Sequence, residues 1–147
     1  MRRTLSVSFV LLALLAIAAS ASAQEVGGQS GKSTSGFSLQ PNYPNPFNPE
    51  TTIPFVLEEG LFASGRPVVV SVRIYNLLRQ PIAAPVALRH PAGENVPLIQ
   101  LEYTSPGRYE AFWDGEDFGG NQVASGVYFV QLTVNGVSLH MRMFVSK

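Results

Sequence analysis

After residue 36 the chain alternates apolar and polar side chains with a period of two. The clearest case is residues 67–76, PVVVSVRIYN, where every second side chain from Val68 to Ile74 is apolar and the intervening positions include Ser71 and Arg73. Successive side chains of a β-strand point to opposite faces of a sheet. This alternation therefore predicts a strand that is buried on one face.

A second alternating stretch consists of Ile53, Phe55 and Leu57. Pro54 lies inside it and has no N–H to donate to a neighbouring strand. Because proline in sheets is largely confined to edge strands, we expect this strand to lie at a sheet edge.

The segment before that strand, residues 43–49, reads YPNPFNP. Proline disfavours helix both at its own position and at the residue before it. We expect the prolines to hold the backbone extended and Phe47 to cover the end of the core. The segment would then lead the chain into its first long strand.

Residues 126–145 predict a β-hairpin. Asn135-Gly136 is the preferred pair for a two-residue type I′ turn, because both central residues need positive φ. That turn would place these apolar residues on one face: Tyr128, Val130, Leu132, Val134, Val137, Leu139, Met141 and Met143. A slip of one residue would mix apolar and polar faces, so the turn and the alternation favour the same register independently.

Weaker alternation indicates further short strands within residues 37–39, 81–88, 99–103 and 109–113. Glycine, proline and asparagine separate these stretches, and none of them has a helical period. The pattern predicts an all-β domain, specifically an immunoglobulin-like antiparallel β-sandwich of about seven to eight strands. An antiparallel barrel is the alternative.

Residues 1–23 have the three parts of a secretory signal peptide. Arg2 and Arg3 are followed by an apolar run over residues 5–19 and by the small residues Ala21-Ser22-Ala23. The run is shorter than the ~20 residues that span a bilayer. We therefore expect cleavage and export rather than anchoring, with no transmembrane segment in the mature chain.

Residues 24–36, QEVGGQSGKSTSG, are rich in glycine, serine and threonine and predict a flexible linker. The composition changes at Phe37, and we expect the folded domain to occupy residues 37–147. The signal peptide predicts an exported protein.

Composition narrows the classes of partner. The chain has 10 basic and 10 acidic side chains and no cysteine. Loss of Arg2 and Arg3 with the signal peptide leaves the mature chain slightly acidic, which gives no electrostatic reason to expect a nucleic acid or an anionic membrane as partner. Absence of cysteine excludes disulfides and thiol nucleophiles.

Residues 113–128, WDGEDFGGNQVASGVY, are dense in acids and glycines and raise the possibility of a calcium loop. Counted from Asp114, an EF-hand-type loop would have an oxygen ligand at its fifth position and glutamate at its twelfth. Phe118 and Ser125 occupy those positions, so the pattern fails twice.

The favoured interpretation of this segment is structural. Asp114 is expected to bond backbone amides in an Asx-turn, while Gly115, Gly119 and Gly120 supply backbone angles that other residues avoid. Trp113 would close the core beside the turn, and Gly126 would let the next strand begin close to a neighbour.

Catalytic patterns are sparse. The two histidines, His90 and His140, lie in a loop and on the more polar face of the predicted hairpin, and no serine lies in a G-x-S-x-G motif. We expect no enzymatic activity, no cofactor, no metal and no small-molecule substrate. A sugar-binding surface would need the following aromatic residues to lie together: Tyr43, Phe47, Tyr75, Phe112, Phe118 and Phe129.

Four segments resemble the type A C-terminal sorting domain of the type IX secretion system, a family that overlaps with the immunoglobulin-like domain of flagellar hook-capping proteins. They are FSLQPNYPNPFNPETTIPFVL, VSVRIYNLLRQPI, WDGEDFGGNQVASGVYFVQL and the terminal MRMFVSK. The motif residues are Tyr43, Pro44, Asn45, Pro46, Phe47, Asn48, Pro49, Tyr75, Asn76, Trp113, Asp114, Gly115, Gly120, Ser125, Gly126 and Tyr128. The candidate sorting segment consists of Met141, Arg142, Met143, Phe144, Val145 and Lys147.

The resemblance implies an immunoglobulin-like sandwich that acts as an address. Such a domain is exported by Sec and recognised by secretion machinery at the outer membrane, and a sortase-like peptidase commonly removes it or exchanges it for a lipopolysaccharide anchor. The resemblance therefore implies a protein that is in the periplasm in transit and then extracellular or on the outer cell surface. By analogy the cut would fall in residues 24–36. None of the chain's residues would be catalytic.

The chain departs from the family in three ways. The stretch from Ala83 to Gly107 is longer than the usual connection, which predicts an added hairpin. Arg79 stands where members usually have glycine, which predicts a positive φ for an arginine. Sorting domains also follow a large cargo, whereas residues 24–36 follow the signal peptide directly, so either the domain is itself the product or it is a fragment of a larger gene. The alternative function is a small secreted or cell-surface binding protein that uses a face of the sandwich.

Overall fold

The computed structural model describes residues 35–147. The predicted signal peptide and residues 24–34 of the predicted linker lie outside the described residues. The first strand begins at Phe37, where the composition of the chain changes.

Residues 35–147 form ten strands in two antiparallel sheets that pack as a sandwich. The strands are β1 (Phe37–Leu39), β2 (Thr51–Leu57), β3 (Val68–Tyr75), β4 (Pro81–Ala83), β5 (Val86–Ala87), β6 (Val96–Pro97), β7 (Leu101–Tyr103), β8 (Gly107–Trp113), β9 (Gly126–Val134) and β10 (Val137–Val145). A short 3-10 helix covers Glu59–Phe62. The all-β sandwich is confirmed, with more strands than expected because several are only two or three residues long.

One sheet has the order β1-β2-β8-β5-β6, and the other has β10-β9-β3-β4 with β7 also paired to β3. The core lies between the two inner faces. In β3, Val68, Val70, Val72 and Ile74 are all completely buried, which confirms the predicted face of this strand. The outer face of the same sheet carries the polar positions of β3, β9 and β10.

The terminal hairpin has the predicted register. Val134 pairs with Val137, Leu132 with Leu139, and the turn residue Asn135 has a φ of 47°. Val130, Leu132, Val134, Met141 and Met143 are buried on the inner face. Local turn chemistry and side-chain alternation agreed in this segment, and the fold follows both.

The expected edge position of β2 is wrong. β2 lies between β1 and β8, and Pro54 is opposite Glu110 of β8. The Pro54 carbonyl accepts a hydrogen bond from the backbone N–H of Gln40 at 2.9 Å, so the missing N–H faces that same side. Since β1 ends at Leu39, proline costs only one bond at the end of a three-residue ladder.

Residues 81–88 form two strands in different sheets rather than one weak strand. β4 pairs with β3, whereas β5 pairs with β8 in the opposite sheet. Pro85 lies between them and has no N–H with which to continue the first ladder, so the chain crosses the sandwich there. The Pro85 carbonyl instead accepts the N–H of Leu98 at 2.9 Å.

Candidate functional site

The four segments of the resemblance meet at one end of the sandwich. Tyr75 at the end of β3 pairs with Phe129 near the start of β9, and Gly126 pairs with Val145 at the end of β10. Antiparallel pairing therefore gathers the end of β3, the start of β9 and the end of β10.

The sheet that contains β2 and β8 contributes the remaining segments to the same end. Thr51 at the start of β2 pairs with Trp113 at the end of β8. Phe47, just before β2, forms a parallel bridge with Val145 of β10, which belongs to the other sheet. We call this end, made of residues 43–49, 75–80, 113–128 and 141–147, the motif end.

Segment 43–49 bends instead of running extended, so that expectation is wrong. Bends occupy residues 44–46 and 48–49, and the peptide bonds before Pro44, Pro46 and Pro49 are cis. The segment is fixed to β2 by two backbone hydrogen bonds of 2.9 Å between Tyr43 and Thr52. Most of its side chains are exposed, namely those of Tyr43, Pro44, Asn45, Pro46, Asn48 and Pro49.

Phe47 is the one side chain of segment 43–49 that enters the core, with 1% of its surface exposed. Its ring meets that of Trp113 edge to face, with centroids 5.4 Å apart. Trp113 in turn packs on Tyr128 at 5.9 Å. The predicted plug is thus present, and its aromatic contacts join two of the four segments, 43–49 and 113–128.

The end of β10 is held by segment 43–49. The Phe47 N–H donates to the Phe144 carbonyl, and the Ser146 N–H donates to the Phe47 carbonyl, both at 3.0 Å. The Phe144 N–H donates to the Asn45 Oδ1 at 3.2 Å. Finally, the Lys147 N–H donates to the Ser125 Oγ at 3.0 Å. The candidate sorting segment is therefore bonded directly to two other motifs.

The predicted sorting residues alternate between core and solvent. Met141, Met143 and Val145 are buried, whereas Arg142, Phe144 and Lys147 are exposed. The inner three help to build the sandwich. The outer three are available to a partner.

The loop after β8 is organised by two aspartates. The Asp114 Oδ1 accepts the Glu116 N–H at 2.9 Å, which is the predicted Asx-turn. The Asp117 Oδ1 accepts the N–H groups of Asn121 and Gly119, and these bonds hold the pKa of Asp117 below its usual value. The carboxylates thus serve the backbone.

Gly115 and Gly120 both have a φ of 78°, as their predicted role requires. The same prediction for Gly119 is wrong, because its φ is not positive. A Cβ at Gly115 would overlap the Pro49 carbonyl, so this glycine also permits close contact with segment 43–49. Gly126 differs from expectation, because a Cβ there would meet nothing within 4 Å. Its φ of 151° explains the glycine, and close approach to a neighbour does not.

The side chains of Trp113 and Tyr128 also fix the backbone of their loops. The Trp113 Nε1 donates to the Glu116 carbonyl at 2.9 Å. The Tyr128 hydroxyl donates to the Ala124 carbonyl at 2.8 Å, and burial raises the Tyr128 pKa. These bonds satisfy the polar ends of two large aromatic side chains at the edge of the core.

The turn after β3 is built by Asn76. Its Oδ1 accepts the N–H groups of Leu78 and Gln80, both at 3.0 Å. Arg79 has a φ of 59°, as the usual glycine at this position predicts. Its guanidinium lies 5.8 Å from the centre of the Phe129 ring. Tyr75 is half-buried, and its hydroxyl donates to the Gln131 Oε1 at 2.8 Å.

A small charged cluster beside segment 43–49 was not predicted. The Tyr43 hydroxyl donates to the Glu110 Oε1, and Arg89 pairs with the Oε2, both at 2.7 Å. The Tyr43 hydrogen bond is the main cause that lowers the Glu110 pKa, partial burial opposes it, and Arg89 and Arg108 add to the lowering. The same bond raises the Tyr43 pKa. Glu110 occupies an outward strand position, which carries no sequence signal for a partner so distant in the chain.

Asn42 was also missed. It is 3% exposed, and its Nδ2 donates to the Thr51 Oγ1 at 3.0 Å and to the Pro44 carbonyl at 3.2 Å. An asparagine next to a proline-rich segment reads as a surface turn residue, so nothing in the sequence indicated that it is buried.

The histidines and acidic residues bear on the possible metal and catalytic sites. In residues 35–147 no group of three or more histidine, cysteine or acidic residues is placed to hold a metal ion. His90 accepts the Ala92 N–H through Nδ1 and contacts the Glu102 carbonyl through Nε2. His140 is exposed on β10 opposite Gln131.

The six aromatic residues considered for sugar binding do not form one surface. Phe47 is buried, whereas Tyr43 and Phe118 are exposed. Phe112 lies between the buried residues Ala111 and Trp113 and faces outward from one sheet, while Phe129 faces outward from the other. Within the described part of the chain, no helix is long and apolar enough to cross a membrane.

No family model matches this chain, and neither does any curated protein sequence. Among solved structures, the chain is similar to PorZ of Porphyromonas gingivalis, described as an essential bacterial surface component of the type-IX secretion system. The match has 24% identity and a TM-score of 0.42, and it covers 73% of this chain. It spans 11% of the PorZ chain.

Proposed function

We propose that the sandwich is a non-enzymatic sorting module. In this proposal the chain is exported by Sec, and type IX secretion machinery recognises the folded domain at the outer membrane for release or surface attachment. A sortase-like peptidase would cut within residues 24–36. The domain would supply an address, and no residue of it would perform chemistry.

The observation that carries the proposal is the convergence of the four resemblance segments on the motif end. Tyr43 and Phe144 are about a hundred residues apart in the sequence, yet they belong to segments joined by direct hydrogen bonds. A purely structural account explains the buried members, such as Phe47 and Met143. The exposed members of the terminal segment, Arg142 and Phe144, are the side chains that machinery at the outer membrane would contact.

The experiment inserts a fluorescent reporter between residues 30 and 31 of the full chain. The fusion is expressed in a bacterium that has type IX machinery and in a matched strain that lacks it. We expect reporter on the cell surface or in the medium only when the machinery is present. Reporter that stays in the periplasm of both strains would overturn the proposal.

A further inference from the structure

β10 is an edge strand whose outer backbone is open over its middle. The N–H and C=O groups of Phe144 face away from β9, because they bond Asn45 and Phe47. Alternate residues of a strand point their backbone groups the same way. Those of Ser138, His140 and Arg142 therefore face outward too.

No strand pairs with this outer edge in the structure of residues 35–147, where β10 ends the sheet order. The open stretch runs over residues 138–142, roughly 17 Å at the usual rise per residue. Phe47 closes the ladder only at its far end, opposite Val145. An exposed row of unpaired backbone groups is a template for an added strand.

The side chains on the outer face around the open stretch are basic, which favours an acidic partner. His140 and Arg142 are exposed on the outer face, and the neighbouring rows add Arg73, while Arg79 lies over Phe129. The outward positions of β3, β9 and β10 include no acidic residue. The outward acid of this sheet, Glu102 of β7, lies opposite Val69 of β3, three strands away from β10. The ion pairs formed within residues 35–147 involve only Arg89 and Arg108, so the arginines of this face have no carboxylate partner there.

The inner side of the same edge is apolar. Val137 is 47% exposed, and Leu139 is half-buried although both belong to the apolar face of the hairpin. A strand added beside β10 would place every second side chain next to these residues and the others next to His140 and Arg142.

We propose that the open edge of β10 binds an extended segment of a partner protein in which acidic and apolar residues alternate. The segment adds to the sheet through backbone hydrogen bonds to Ser138, His140 and Arg142. Its carboxylates lie beside Arg142 and the basic outer face, and its apolar side chains cover Leu139. A second copy of this chain is a poor occupant, because antiparallel pairing of two such edges brings Arg142 and His140 of both copies together.

The test uses the ¹⁵N-labelled full chain and a synthetic heptapeptide, acetyl-Ser-Glu-Val-Glu-Val-Glu-Ser-amide. We expect this peptide to shift the amide signals of Ser138, His140 and Arg142. The matched peptide with lysine at each glutamate should bind about tenfold more weakly. N-methylation of one alternate set of peptide amides should abolish binding, while methylation of the other set should not.

Two variants separate strand addition from simple charge attraction. His140→Pro removes an N–H that β9 does not use and should abolish peptide binding, whereas His140→Ala keeps the N–H and should retain it. Arg142→Glu should reverse the preference in favour of the lysine peptide, and it decides the question if His140→Pro does not fold.

Several results would overturn the inference. One is equal binding of the glutamate and lysine peptides, or shifts that map away from residues 138–142. Another is finding these three amides already protected from hydrogen exchange, either in a dimer or by residues 24–34 of the same chain. The experiment is independent of secretion, so its failure would leave the proposed sorting role standing.

Discussion

Gly115 joins two segments of the motif end because it has no side chain. We expect Gly115→Ala to destabilise the domain by about 3 kcal/mol, since a Cβ would overlap the Pro49 carbonyl in addition to straining a φ of 78°. Gly120→Ala is the matched control, with the same φ and nothing within 4 Å of the added atom. It should cost only about 1 kcal/mol.

Both free energies of unfolding are measured by urea titration, with the fluorescence of the chain's single tryptophan, Trp113, as the signal. If the two alanine variants lose the same stability, the contact between Gly115 and segment 43–49 contributes nothing and this account of the glycine is wrong.

Arg79 carries a conformational cost and a compensating contact. Its φ of 59° is unfavourable by about 1 kcal/mol, and an exposed guanidinium over a half-buried ring returns about 0.5–1 kcal/mol. Arg79→Gly should therefore change stability little. In a Phe129→Leu background, where the ring is gone, the same substitution should stabilise the domain by about 1 kcal/mol.

The measurement is a double-mutant cycle of the free energies of unfolding. If Arg79→Gly changes the free energy of unfolding by the same amount with and without the Phe129 ring, the contact between Arg79 and Phe129 does not contribute to stability. The positive φ itself was predictable, because the resemblance supplied the usual glycine. The contact with Phe129 was not, because it joins a turn to a strand that lies far along the chain.

At the scale of elements, predictability follows the range of the interactions. The β9–β10 hairpin was predicted to the residue because its turn and its alternation are both local. The position of β2 in the sheet was not predicted. Pro54 is tolerated there because β1 stops at Leu39, and local sequence cannot reveal where a neighbouring strand stops. The parallel bridge between Phe47 and Val145 could not be predicted from the sequence pattern either, since the two residues lie near opposite ends of the domain's sequence.

The bond from Tyr43 to Glu110 ties segment 43–49 to β8 and predicts a dependence on pH. The folded state lowers the Glu110 pKa from the ordinary 4.5, so the bond stabilises the fold at neutral pH. This contribution is lost as the pH falls below 4.5 through the folded pKa. In Tyr43→Phe the main cause of the lowered pKa is absent, and less stability should be lost in acid.

The check is the difference in free energy of unfolding between the original chain and Tyr43→Phe from pH 7 to pH 3. It should shrink as Glu110 is protonated. In a Glu110→Gln background the effect of Tyr43→Phe should not vary with pH over this range. A difference between the first pair that is constant with pH would exclude the linkage.

At the scale of the whole molecule, the fold and the proposed address are hard to separate, because one stretch of β10 would serve both. Its buried side chains hold the sandwich, and its exposed ones are free for recognition. The separation can be made by substitutions that touch only one of the two sets, using the reporter fusion of the full chain.

Phe47→Ser should cost about 3–4 kcal/mol, because a ring that is 1% exposed is lost from the core, whereas Glu50→Ala at an exposed position should cost almost nothing. Phe144→Ser changes a side chain that is 42% exposed and leaves its backbone bonds to Asn45 and Phe47 in place. It should also leave stability nearly unchanged.

The fates of the three fusions then test how the address is read. Glu50→Ala should be secreted, and Phe47→Ser should be retained because the motif end no longer forms. Phe144→Ser should be retained although it is folded, because in the proposed function the machinery would contact the exposed face of the terminal segment. Secretion of Phe144→Ser at the original level would mean that the secretion machinery does not recognise this side chain. Secretion of Phe47→Ser at the original level would mean that the machinery does not recognise the folded motif end.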